Sequence, residues 1–97
     1  MPPQKKILIS EDVTGTGIDR LKQKYHLQID PELWKKTPTL EETIAGFDGL
    51  IVRNQTKVNA SLLSRAKALR VVGRAGAGYD NIDVAAATQA GVARDMW

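Results

Sequence analysis

The chain has 97 residues, 42% of them hydrophobic and 26% charged, with a formal net charge of +3 and no cysteine. That length supports one small core burying roughly two thirds of the unfolded surface, and the missing cysteine excludes disulfides and thiolate chemistry while leaving the redox compartment open. The first apolar run, Ile7-Leu8-Ile9, is too short for a signal-peptide core or a membrane span, so a cytoplasmic domain with no membrane partner is expected.

Ile7-Leu8-Ile9 reads as a buried strand, and Ile18, Leu21 and Tyr25 then recur at the spacing of one helical face. Leu27-Gln28-Ile29 alternates as an edge strand does. In "TPTLEETIAG", Thr39 and Glu42 have the spacing of a capping box, and Gly46 is placed to end that helix in a left-handed conformation. Leu50-Ile51-Val52 is a second buried strand. Asn59 is expected to cap a helix carrying Leu62, Leu63, Ala66 and Leu69, and Val71-Val72 is a further strand. "DVAAATQAG" is an alanine-rich helix opened by Asp83 or Asp80 and stopped by Gly91, after which Val92-Ala93 begins a last strand.

Strands alternating with helices imply an α/β fold with a doubly wound parallel sheet and helices on both faces. Ligands of such sheets bind beyond the carboxyl ends of the strands. Function is therefore expected at Ser10-Glu11-Asp12, at Arg53-Asn54-Gln55-Thr56, and between Gly73 and Asn81.

Two glycine pairs invite a nucleotide reading. "GTGIDR", Gly15 to Arg20, has arginine in place of the third glycine and two acidic residues ahead of the turn, which favours a solvated helix N-terminus. "GAGYDN" has Asn81 in that place, but Arg74 precedes its first glycine. Gly76, Ala77 and Gly78 could turn their N–H groups inward as an anion nest, and Arg74 offers a planar fork for carboxylate or phosphate. A plain strand-to-helix connection with a surface arginine is equally compatible with these residues. Arg53 shifts the balance: it follows its strand as Arg74 follows the next, and two arginines on neighbouring strand ends call for an anionic ligand. Pairing with Glu11, Asp12 or Asp80 is the alternative.

Other classes find less support. The cations are scattered and no aromatic residue sits within a basic run, so no nucleic-acid face is expected. Glu11-Asp12 after the first strand suits a phospho-receiver domain, but Arg53 stands where the phosphate-accepting aspartate would be. His26, the one histidine, lacks a partner at an informative spacing, Trp34 reads as a packing residue, and no metal-ligand cluster is present.

From Gly49 to Val92, "LIVRNQTKV" and "VVGRAGAGYDNID" together resemble the NAD-dependent D-2-hydroxyacid dehydrogenases, and the similarity runs from about Lys6 to Val92. The resemblance implies the N-terminal portion of a flavodoxin-like substrate domain. It makes Arg53 and Arg74 anion-binding arginines, Gly76, Ala77 and Gly78 the loop that takes the substrate carboxylate, and Asn54, with Gln55, part of the same substrate loop. The family continues past "AGV" with an apolar strand and a hinge, whereas this chain reads "ARDMW". The family's dinucleotide fingerprint and catalytic arginine, glutamate and histidine lie beyond that point. The expectation is a single partial substrate domain over residues 1–97, without the Rossmann cofactor domain. No catalytic, metal or cofactor-binding residue of its own is expected. It would bind a small anionic hydroxy acid, be inactive alone, and use NAD only through the parent enzyme. Self-association through uncovered surface is a further expectation, and a non-catalytic flavodoxin-like interaction or regulatory module is the alternative.

Overall fold

The computed structural model describes residues 5–75 and 81–96. Five strands, β1 (Lys6–Ile9), β2 (His26–Ile29), β3 (Gly49–Val52), β4 (Val71–Arg74) and β5 (Ala93–Met96), form one sheet in the order β2-β1-β3-β4-β5. Every neighbouring pair is parallel. Four α-helices connect them: α1 (Thr16–Lys24), α2 (Thr37–Thr43), α3 (Ala60–Arg65) and α4 (Val84–Gln89). The expected doubly wound α/β architecture is the observed one.

The order of strands follows from handedness. The chain steps from β1 to β2 in one direction and makes its later crossovers in the other. Right-handed crossovers therefore put α1 on one face and α2, α3 and α4 on the opposite face. Side chains divide with the period of two that a strand imposes. Leu8, Leu50, Val52 and Val72 enter the larger core with Leu40, Ile44, Phe47 and Leu62. Ile9 and Ile51 face the other way, against Val13 and Ile18. All four residues of β3 are buried, as befits a central parallel strand covered on both sides.

The second face is only partly covered. One helix, about 10 Å across, shields about two strands spaced roughly 4.8 Å apart. Beside α1 a groove of about 310 Å³ remains, and its lining includes Ile7, Leu21, Tyr25, Ile51, Val71 and Gly73.

Several local expectations are corrected. Thr39 and Glu42 form no capping box, because α2 begins two residues earlier at Thr37, with Pro38 in its first turn and no side-chain cap. Proline suits that turn through its fixed φ and missing N–H, which leaves Thr39 inside the helix, its carbonyl accepting from the Thr43 hydroxyl at 2.7 Å. Gly46 does not adopt a positive φ; α2 tightens instead into a 3-10 turn, Ile44–Gly46. Tyr25 is the C-cap of α1. α3 ends at Arg65, so Ala66 and Leu69 are buried from the connection rather than from the helix. Asn59 and Asp83 do cap their helices, accepting from Leu62 N–H and Ala86 N–H at 3.0 Å each. Gly91, at φ +74°, turns the chain out of α4, and "ARDM" forms β5 despite its polar residues.

Candidate functional site

The strand order reverses around β1 and β3: the chain leaves β1 toward one face and β3 toward the other. That reversal opens a crevice beyond their carboxyl ends, where ligands of doubly wound sheets bind. Among the described residues, the buried polar and charged side chains are Ser10, Glu11, Thr56, Arg74 and Asn81. All five lie at this end of the sheet. Concentrated polarity in an otherwise apolar interior needs complete hydrogen bonding to be tolerated, and no buried side-chain N or O atom among the described residues lacks a partner.

Glu11, only 2% exposed, sits just beyond β1. Its carboxylate does not reach an arginine side chain but the main chain of the loop after β3. Oε2 accepts from Arg53 N–H at 2.7 Å and Thr56 N–H at 2.9 Å, and Oε1 accepts from Gln55 N–H at 3.0 Å. Burial alone would raise its pKa. The N–H and hydroxyl of Thr56, with the N–H groups of Arg53 and Gln55, outweigh that and hold it below the usual 4.5. The Ser10 and Thr56 hydroxyls meet at 2.8 Å, and Ser10 O accepts from Trp34 N–H at 3.1 Å, tying in the segment after β2.

Asn81 approaches the same loop from the other side. A short parallel bridge pairs Val58 with Ile82, with Val58 N–H donating to Asn81 O and Asp83 N–H to Val58 O. The Asn81 amide then makes three bonds. Nδ2 donates to Arg53 O at 2.8 Å and Thr56 O at 2.7 Å, and Oδ1 accepts from Arg74 Nε at 2.9 Å. One side chain thus joins the Arg53 loop to the Arg74 guanidinium.

Arg53 and Arg74 do lie at the ends of neighbouring strands, with Val52 opposite Arg74 in the β3–β4 register. Their environments differ: Arg74 is 7% exposed, whereas Arg53 is open to solvent. The Arg53 guanidinium donates to the Asp12 carbonyl oxygen at 3.3 Å, not to a carboxylate. Two shallow hollows flank it, one bordered by Trp34, Lys35, Asn54 and Gln55, the other by Val13, Thr14 and Ala75. Asn54 is exposed on the loop. Gly76, Ala77, Gly78 and Asp80 lie outside the described residues. His26 opens β2 at the opposite end of the parallel sheet and is exposed. Among the described residues no group of three or more His, Cys, Asp or Glu could hold a metal ion, and no helix is long and apolar enough to cross a membrane.

In the sequence Glu11 is half of an acidic pair and Asn81 is the residue that spoils a glycine fingerprint, and nothing local marks Glu11, Thr56 and Asn81 as parts of one network. Asn81 carries a usable signal, a bifunctional amide two residues ahead of the Asp83 cap, where the chain must pass the strand ends.

A saturated polar network with arginines at the switch point of the sheet defines a doubly wound α/β domain. The chain belongs to the family of D-isomer specific 2-hydroxyacid dehydrogenases, whose catalytic domain matches residues 7–94. It is similar to the D-3-phosphoglycerate dehydrogenase of Archaeoglobus fulgidus, 37% identical over 87 residues, covering 90% of this chain and 16% of that protein. The enzyme of the same name from Rattus norvegicus is 43% identical over 91 residues, with 91% and 16% covered. Among solved structures, a glyoxylate reductase from Paecilomyes thermophila superposes with a TM-score of 0.79 at 26% identity, covering 98% of this chain and 32% of that one. An NAD+-bound 3-phosphoglycerate dehydrogenase from Entamoeba histolytica gives 0.76 at 27% identity, with 97% and 33% covered. The chain thus spans about a sixth of the length of the curated relatives it matches.

Proposed function

We propose that these residues form the part of a D-2-hydroxyacid dehydrogenase substrate site that holds the anionic end of a small hydroxy acid, with D-3-phosphoglycerate as the substrate. The observation that carries this reading is the convergence of every buried polar side chain among the described residues on the strand ends that bear Arg53 and Arg74. Arg74, oriented through Nε by Asn81, supplies a fixed charge for carboxylate or phosphate, and solvent-facing Arg53 supplies a mobile one. Gly76, Ala77 and Gly78 are assigned to the carboxylate through their N–H groups, and Asn54 to the rim. In this reading residues 1–97 belong to the substrate domain. NAD and the proton-transferring groups are assigned to the cofactor domain of the whole enzyme; the Entamoeba histolytica relative is NAD+-bound.

Titration of the chain with D-3-phosphoglycerate tests the assignment. Binding is expected to weaken in both Arg53→Ala and Arg74→Ala; unchanged affinity in the two variants would refute it. A second reading, association of two chains across the open face, is favoured by the apolar groove beside α1. A monomeric mass by light scattering at high protein concentration would rule it out.

A further inference from the structure

We infer that Glu11 is a positioning residue for the anion site: its carboxylate fixes the Arg53–Thr56 loop, and through Asn81 the relative placement of Arg53 and Arg74. The inference rests on the substrate-site reading above and assigns Glu11 no contact with substrate.

The loop's main chain is gripped from both sides. Glu11 takes the N–H groups of Arg53, Gln55 and Thr56, while Asn81 takes the carbonyls of Arg53 and Thr56. Both ends of the loop are therefore locked, and Arg53, Asn54 and Gln55 remain exposed between them. Those three N–H groups already hold an anion that is part of the chain, so the loop offers a substrate its side chains rather than these amides. The β3 loop is thus unlike the nest assigned to Gly76–Gly78. The same Asn81 amide that closes the grip also receives Arg74 Nε, so a displacement of the loop is passed to the buried arginine.

A carboxylate is a costly way merely to close a loop. Taking the charge out of water is unfavourable unless hydrogen bonds repay it, and a serine or an ordinary turn would satisfy one or two amides without a charge. What the carboxylate adds is rigidity: two oxygens fix three amides at once, through charge-assisted bonds about twice as strong as neutral ones. Rigid support beneath the side chains that meet a ligand governs affinity, because a misplacement of about 1 Å is expensive.

Two substitutions separate geometry from charge. Glu11→Gln keeps the length but removes the charge and turns an amide NH₂ toward N–H groups. Glu11→Asp keeps the charge but withdraws it by one methylene. Each variant of the 97-residue chain is titrated with D-3-phosphoglycerate, and amide hydrogen exchange is followed at Arg53, Gln55 and Thr56. Ser10 N–H, bonded to Ile51 O just beyond the end of β1, reports whether the fold is intact. Both variants are expected to lose protection in the loop but not at Ser10, and to bind about tenfold more weakly or worse. If Glu11→Asp binds normally while Glu11→Gln binds more tightly, the carboxylate acts only as a repelling charge and the inference fails. Loss of loop protection with unchanged affinity in both variants also overturns it, leaving the substrate site standing. Absence of binding by the unsubstituted chain would overturn the substrate-site reading and this inference with it.

Discussion

Replacing Asn81 by alanine removes a side chain that bonds to both arginine-bearing segments. Three bonds disappear: those to Thr56 O and from Arg74 Nε are buried, and that to Arg53 O is partly buried. A buried polar group left without its partner costs about 1–3 kcal/mol, so the two buried losses come to about 2–6 kcal/mol, and the third adds less because water reaches it. Against a stability of about 5–15 kcal/mol for a domain this size, Asn81→Ala is expected to shift the denaturant midpoint strongly. Urea unfolding followed by circular dichroism measures the change, with Asn59→Ala as the comparison. Asn59 holds a single cap bond to Leu62 N–H, and its loss is expected to cost about 1 kcal/mol. A cost for Asn81→Ala no larger than that of Asn59→Ala would refute the reasoning: water would then be replacing the amide, and the network would not be what holds the loop.

Stability should fall as acid protonates Glu11. Its folded pKa lies below the ordinary 4.5, so its contribution is present above that value and is lost as pH drops through the folded pKa. Thermal melts between pH 5 and pH 3 are expected to show a shallower decline in Glu11→Gln than in the unsubstituted chain, and equal slopes would contradict the assignment. Asp83→Ala should cost about 1 kcal/mol through loss of the bond from Ala86 N–H, read by the same urea titration. Gly91→Ala places a side chain at φ +74° and should destabilise by about 1 kcal/mol, although nothing lies within 4 Å of the added Cβ. Leu8→Ala, at a fully buried position in the larger core, should cost about 2–5 kcal/mol.

The strands were legible because their signal is collective. Ile7-Leu8-Ile9, Leu50-Ile51-Val52 and Val71-Val72 are aliphatic runs bounded by polar residues or glycine, and their alternation with helices admits few topologies. Helix boundaries depend on single residues in competition, and there the pattern misled. Thr39 and Glu42 have the right spacing for a capping box, but Pro38 had already set the first turn. Gly46 stands where a left-handed stop is common, but the 3-10 turn Ile44–Gly46 closes with Phe47 N–H donating to Ile44 O, which requires no positive φ. Asn59 and Asp83 faced no such rival and cap as expected.

The arginines were legible for the same reason as the strands, since Arg53 follows an aliphatic run directly, Arg74 follows one with only Gly73 between, and topology fixes where those runs end. Their supports were not, because Glu11 and Asn81 act across separations of 42 to 45 and of 7 to 28 residues. No local pattern encodes a contact of that range; it appears only once β1, β3 and β4 are adjacent. The sequence offers pairing of Glu11 with an arginine side chain as the alternative to an anionic ligand, yet Glu11 binds main-chain N–H groups and leaves the Arg53 guanidinium facing solvent. Had Glu11 neutralised Arg53, the crevice would present less positive charge to a ligand. By satisfying the loop amides instead, it secures the loop while the arginine charge stays at the mouth of the site.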